Sequence, residues 1–275
     1  WRFWQARDLV LPNWVDSQHH VLIVRKMIEN SGLPSTLEPY LPGPFYYHFA
    51  FHSLTAFFSV LSGLDPAASV LVLGQVINAC VSLTVYTLAK QLSKDWRVGL
   101  LAGVFVAFAT KLPGYYLTWG RYTLLIGVMI LPSAMVEAVR AWERHDRWWQ
   151  MAGLSLLTAG ALLSHYFTAF LLVLFLVLLG IWWLVETVKS KSADWKLILS
   201  IGLASLAGLV LASRWVYRIF VYSSAATRPV FRVMESDLPK SAWNYLAYLL
   251  GPISGYVLIG LGLIGLVWSG LAGKK

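Results

Sequence analysis

An all-α, polytopic membrane bundle is the fold class this chain predicts, on three observations. Its 275 residues are 58% hydrophobic and only 13% charged, against roughly 25% charged in a soluble domain. Nearly charge-free runs recur at about 67–89, 98–110, 122–136, 149–164, 167–185, 197–213 and 244–270. Lysine and arginine gather in alternate connections between those runs, as a transmembrane topology requires.

A helix needs about 20 apolar residues to cross the hydrocarbon core. The seven runs are therefore candidate spans, with the second and fourth short and the last interrupted by Gly251-Pro252. Lys90, Lys94 and Arg97 follow the first run; Arg140, Arg144 and Arg147 the third; Lys189, Lys191 and Lys196 the fifth; Lys274 and Lys275 the last. The opposite short connections hold only Lys111 and Arg121. The positive-inside rule makes the first set cytoplasmic and the second external. Trp96, Trp142, Trp148, Trp149, Trp195 and Trp268 then mark the inner edge, and Trp119, Trp215 and Trp243 the outer. Residues 67–275 are thus expected to form a bundle of about seven helices with an outer loop at 214–243. Residues 1–66 are expected to be an outer-side segment. The net charge of +9 belongs to this topology and implies no nucleic-acid partner. A single cysteine, Cys80, excludes a disulfide within the chain. The start at Trp1, with no basic stretch before an apolar run, suggests a fragment lacking a first transmembrane helix.

Within 1–66, Asp16 and Ser17 precede an amphipathic run, with Asp16 the expected N-cap and Gly32 the expected C′ residue. Pro34, Pro39, Pro42 and Pro44 force an extended stretch. An apolar helix from about Tyr46 to Leu61 follows. It is short for a span, and counting it as one would reverse the sidedness, so it is expected to lie in the outer interface.

Five of the six histidines, His19, His20, His48, His52 and His165, fall on the outer side, with Asp16, Arg121, Arg214, Arg218, Arg228 and Arg232. His48 and His52 are four apart and expected to share a helical face, and His20 is four beyond Asp16. Imidazole and carboxylate so spaced suit a divalent metal; histidines packed among aromatics are the plainer reading. Asp16 is either a helix cap or a base for an acceptor hydroxyl or amine. Arg121, in Gly120-Arg121-Tyr122 at the outer end of the third run, is placed either to clamp a phosphate or to reach lipid headgroups. Arg214 and Arg218 share a helical face and offer the same alternatives.

The order of these parts resembles the GT-C superfamily of membrane glycosyltransferases, which includes protein O-mannosyltransferases and the lipid A aminoarabinose transferase. The matching stretches are Asp16, Gly32-Leu33-Pro34, PGPFYYHF at 42–49, FHSLTAFFSVLSGL at 51–64 and VLGQVINACVSLTVYTLAKQL at 72–92. They continue with RVGLLAGVFVAFAT at 97–110, GRYT at 120–123 and MAGLSLLTAGALLSHYFTAF at 151–170. The resemblance implies transfer of a sugar from a polyprenyl-phosphate donor to an acceptor at the outer face of a bacterial or archaeal plasma membrane. It implies Asp16 as base or metal ligand, and Arg121, Tyr122, Arg214 and Arg218 as donor-phosphate contacts. His20, His48, His52 and His165 would be metal or acceptor contacts. Ser17 stands where many relatives have a second acidic residue, and Pro-Gly-Pro replaces a common Lys-Pro-Pro. Two other classes compete. A lipid transporter or flippase would be expected to carry ionisable groups at mid-membrane, where these runs hold almost none. A non-catalytic subunit of a membrane complex, with partner subunits on its aromatic surface, fits the 14 tryptophans.

Overall fold

The computed structural model describes residues 2–143, 147–225 and 254–272. The chain is a bundle of α-helices, and five of those described are long and apolar enough to cross a membrane. They are α4 (Pro66–Ser93), a composite segment Trp96–Thr118, α7 (Tyr122–Glu143), α9 (Tyr166–Ser190) and Trp195–Tyr222 of α10 (Trp195–Ala225). The protein is an integral membrane protein built on these helices.

Helices stand on all seven expected runs among the described residues, with bounds that differ for local reasons. α8 (Trp148–Ser164) has 17 residues, about 26 Å at 1.5 Å per residue, slightly less than the ~30 Å hydrocarbon core. The last helix, α11 (Ser254–Ala272), has 19 residues and no charged side chain. The second run is longer than 98–110: α5 (Trp96–Val104) passes into a π-helical turn, Phe105–Ala109, and a short α6 (Gly114–Thr118) completes it. The proposed loop at 214–243 is also corrected, because α10 continues to Ala225 and carries Arg214 and Arg218 on its final turns. Arg228, Arg232 and the rest of that loop lie outside the described residues.

The chain before α4 forms α1 (Arg2–Ala6), α2 (Val15–Glu29), a hairpin of β1 (Thr36–Leu37) and β2 (Leu41–Pro44), and α3 (Ala50–Ser62). Both expected caps of α2 are displaced. Trp14, at φ 74°, holds the N-cap position, which leaves Asp16 inside the first turn. At the other end Ser31 takes the left-handed conformation at φ 50°. The Ser31 amide donates to the Ile28 carbonyl and the Gly32 amide to that of Met27. That is a Schellman closure with Gly32 one residue beyond C′. The proline-rich stretch is extended, as expected, and pairs on itself antiparallel, Leu37 opposite Leu41. α3 begins at Ala50, not Tyr46, so His48 precedes the helix and does not share its face with His52.

One core joins these parts to the spans. Val24 of α2 and Phe51 of α3, neither exposed at all, pack with Val70, Ile77, Tyr122 and Leu125 of α4 and α7. Burying a side chain the size of Phe51 contributes about 1.5–3 kcal/mol. A second cluster, with Ile23, Met27, Leu37, Phe45 and Trp215, fastens α2 and the hairpin to α10. At the opposite face Lys94 pairs with Glu143, and Gln91 donates to Glu143 at 3.0 Å. The lysine- and arginine-rich ends of α4 and α7 thus meet on one face, and α2, α3 and the hairpin cover the other.

Candidate functional site

Five segments bring the side chains of the site to that covered face. α2 supplies Asp16, His19 and His20, the stretch before α3 supplies Tyr47 and His48, and α3 supplies His52. The turn into α7 supplies Gly120 and Arg121. The join between α8 and α9 supplies His165.

The centre is a chain of polar contacts. His20 Nε2 lies 2.8 Å from the Gly120 carbonyl and its Nδ1 2.7 Å from His52 Nε2. A carbonyl only accepts, so His20 carries its proton on Nε2 and offers a lone pair at Nδ1. His52 Nε2–H must then donate to it, which leaves His52 Nδ1 bare. That atom is buried without a hydrogen-bond partner. Burial lowers the His20 pKa to about 4 and, with His20 beside it, holds His52 well below the usual imidazole range. Both rings are neutral at pH 7.

A second pair sits alongside. His48 stacks on His165 with ring centroids 5.2 Å apart, and both contact Tyr166. His165 Nδ1 accepts the Phe167 amide at 3.1 Å, capping α9. Burial lowers both rings to about 4. The two pairs flank Tyr47, whose ring lies 5.7 Å from His48 and 5.9 Å from His52. The Tyr47 hydroxyl meets Thr123 Oγ1 at 3.3 Å, and burial raises its pKa.

Close backbone approach sets the register of α2 on α7. Gly120, at φ +63°, lies against the start of α2, where a Cβ would stand 2.8 Å from Ser17 Oγ and 3.1 Å from Asp16 Cβ. The approach places Asp16 and Arg121, far apart in sequence, in the lining of one cleft of about 500 Å³. His19, His20, Ile23, Leu37, Leu41 and Tyr47 complete its walls. Arg121 is exposed, its guanidinium 5.6 Å from the Trp119 ring. Its positive charge opposes protonation of His20 and His165, and Asp16 favours protonation of His20.

His48, His52 and His165 do not line the cleft itself, and the three remaining predicted phosphate contacts also stand apart from it. Tyr122 is buried beneath it, edge-on to His20 at 5.5 Å. Arg214 is exposed on α10. Arg218 donates to the Ser35 carbonyl at 3.2 Å and lies over Trp215 and Tyr222, tying α10 to the stretch before β1. Among the described residues no three of His, Cys, Asp and Glu form a group able to hold a metal ion. His20 and His52 spend their facing nitrogens on each other. Sequence reasoning missed Tyr47, although it lies inside the quoted PGPFYYHF stretch, and Gly120, whose signal was its place before Arg121.

The profile of a family of unknown function, DUF6541, matches residues 10–273. No curated protein and no solved structure matches the chain.

Proposed function

The chain belongs to the DUF6541 family of unknown function, and for it we propose transfer of a glycosyl group from a polyprenyl-phosphate donor at the outer face of the membrane. The observation that carries this reading is the cleft in which Asp16 and Arg121 meet. Such a transfer breaks the bond between the sugar's anomeric carbon and phosphate oxygen and forms one to an acceptor oxygen or nitrogen. The acceptor proton goes to a base, and the phosphate leaves with its negative charge. Asp16 is the carboxylate available as base. Arg121 presents a guanidinium fork suited to phosphate oxygens. The neutral His20–His52 pair has a positioning role, since it fastens α2 to Gly120 and so holds Asp16 beside Arg121. The resemblance to GT-C enzymes in the order of these parts supports the same reading. The lysine-rich connections at the opposite face favour the external side for the cleft.

A second reading, a non-catalytic subunit of a membrane complex, rests on a different observation. His20, His52 and His165 already spend ring nitrogens on each other or on backbone, as a purely structural cluster would.

Native mass spectrometry of the full-length protein with polyprenyl phosphate separates the two. Saturable one-to-one binding that falls at least tenfold in Arg121→Ala is expected. Reconstituted protein should then consume a labelled glycosyl polyprenyl phosphate, and Asp16→Asn should not. Binding no stronger than that of bulk phospholipid would sink the transferase reading in favour of the subunit.

A further inference from the structure

A second cavity, of about 470 Å³, lies between α1, α4 and the Trp96–Thr118 segment and shares no lining residue with the histidine cleft. Its chemistry is one-sided. Arg2 and Lys111 line it with the amides of Gln5, Asn13 and Gln75, and no carboxylate does. Arg2 Nη2 donates to the Ala107 carbonyl at 2.9 Å. Ala107 lies midway along its span, inside the π-helical turn, and such turns gather at functional sites. Gln75, only 6% exposed, has its Oε1 buried without a hydrogen-bond partner, an acceptor suited to a hydroxyl carried by the ligand. The fold also leaves room for the guanidinium, since a Cβ on Gly114 would stand 2.8 Å from Arg2 Nη1. Leu71 and the exposed Phe108 give the cavity an apolar side towards the membrane.

From this geometry we propose that the Arg2–Lys111 cavity is a binding site for a phosphate group, distinct from the cleft at Asp16 and Arg121. The guanidinium and ammonium hold the oxyanion, the amides take its remaining oxygens or an attached hydroxyl, and the apolar side accommodates a hydrocarbon chain. The site does not depend on the transferase reading.

The test is equilibrium binding of labelled phosphatidylglycerol to the full-length protein in detergent, with inorganic phosphate and phosphatidylcholine as competitors. Wild type is expected to bind one lipid per chain, and the double variant R2Q/K111Q to lose at least tenfold in affinity. R2K should retain most of the binding, and R121A should bind as wild type does. Competition by inorganic phosphate at millimolar concentration would identify the free ion as a ligand. Competition by neither competitor would assign the site to the anionic lipid headgroup. Equal competition by phosphatidylcholine, or unchanged affinity in R2Q/K111Q while the protein keeps its melting temperature, would overturn the proposal. Should the double variant not fold, loss of binding in R121A would overturn it equally.

Discussion

Replacing Gly120 with alanine tests whether close backbone approach at the turn into α7 builds the cleft. Two costs combine at this position. Gly120 sits at φ +63°, where a residue with a Cβ costs about 1–2 kcal/mol more than in the right-handed region. The new Cβ would also stand 2.8 Å from Ser17 Oγ and 2.9 Å from the Ser17 amide nitrogen. Backbone cannot swing aside as a flexible side chain can, and overpacking of this kind costs about 1–3 kcal/mol. The combined loss is about 2–5 kcal/mol. Gly63→Ala is the control, because Gly63 has φ +71° and nothing within 4 Å of its added Cβ. It should show only the backbone part, about 1–2 kcal/mol. The assay is reversible unfolding of both variants in mixed micelles under rising denaturant. Equal losses in the two would refute the argument, since the contact with Ser17 would then contribute nothing.

Other expectations follow from the same packing. His52→Leu strips the donor from His20 Nδ1 and leaves a buried acceptor unsatisfied, a loss of about 1–3 kcal/mol; unfolding indistinguishable from wild type would contradict the assigned tautomers. Acid should destabilise the protein in a defined window. His20 has its pKa lowered from 6.5 to about 4, so below 6.5 the unfolded chain binds a proton that the native chain refuses. Stability is therefore full above that value and falls as pH drops towards 4, by up to about 1.4 kcal/mol per pH unit from His20 alone. Melting curves that coincide at pH 7.5 and pH 5 would rule this out. Gly208→Ala places a Cβ 2.5 Å from the Ser155 carbonyl, and separating α10 from α8 should cost about 1–3 kcal/mol in the same unfolding assay. Glu143→Gln, which removes the exposed pair with Lys94, should by contrast change stability by less than about 1 kcal/mol.

The helical class and the grouping of basic ends on one face were legible because both are written in composition and spacing. Runs of apolar residues define spans, and charge between them defines faces. The convergence of Asp16, the histidines and Arg121 was legible only as a shared side of the membrane. Their pairing depends on contacts such as His20 with His52 and with Gly120, for which sequence spacing carries no signal. The misplaced cap of α2 has a narrower cause. A short acidic residue before a helical run is the usual cap, and nothing in the residue type foretold that Trp14 would adopt a positive φ in its place. The displaced end at Ser31 repeats the error, as glycine ordinarily takes the left-handed position. His48 and His52 misled in another way, since the four-residue rule applies only inside a helix, and α3 starts between them.

The direction of the His20–His52 chain bears on the energetics of the membrane itself. A row of imidazoles in a membrane protein invites proton conduction, and a leak would dissipate any gradient the cell maintains. A proton taken up at His52 Nδ1 can be handed through Nε2 to His20, but the next partner is the Gly120 carbonyl. A peptide oxygen accepts a hydrogen bond and has no lone proton site to pass a charge onward. The wire therefore ends blind at the Gly120 carbonyl, a backbone atom that no side-chain substitution removes.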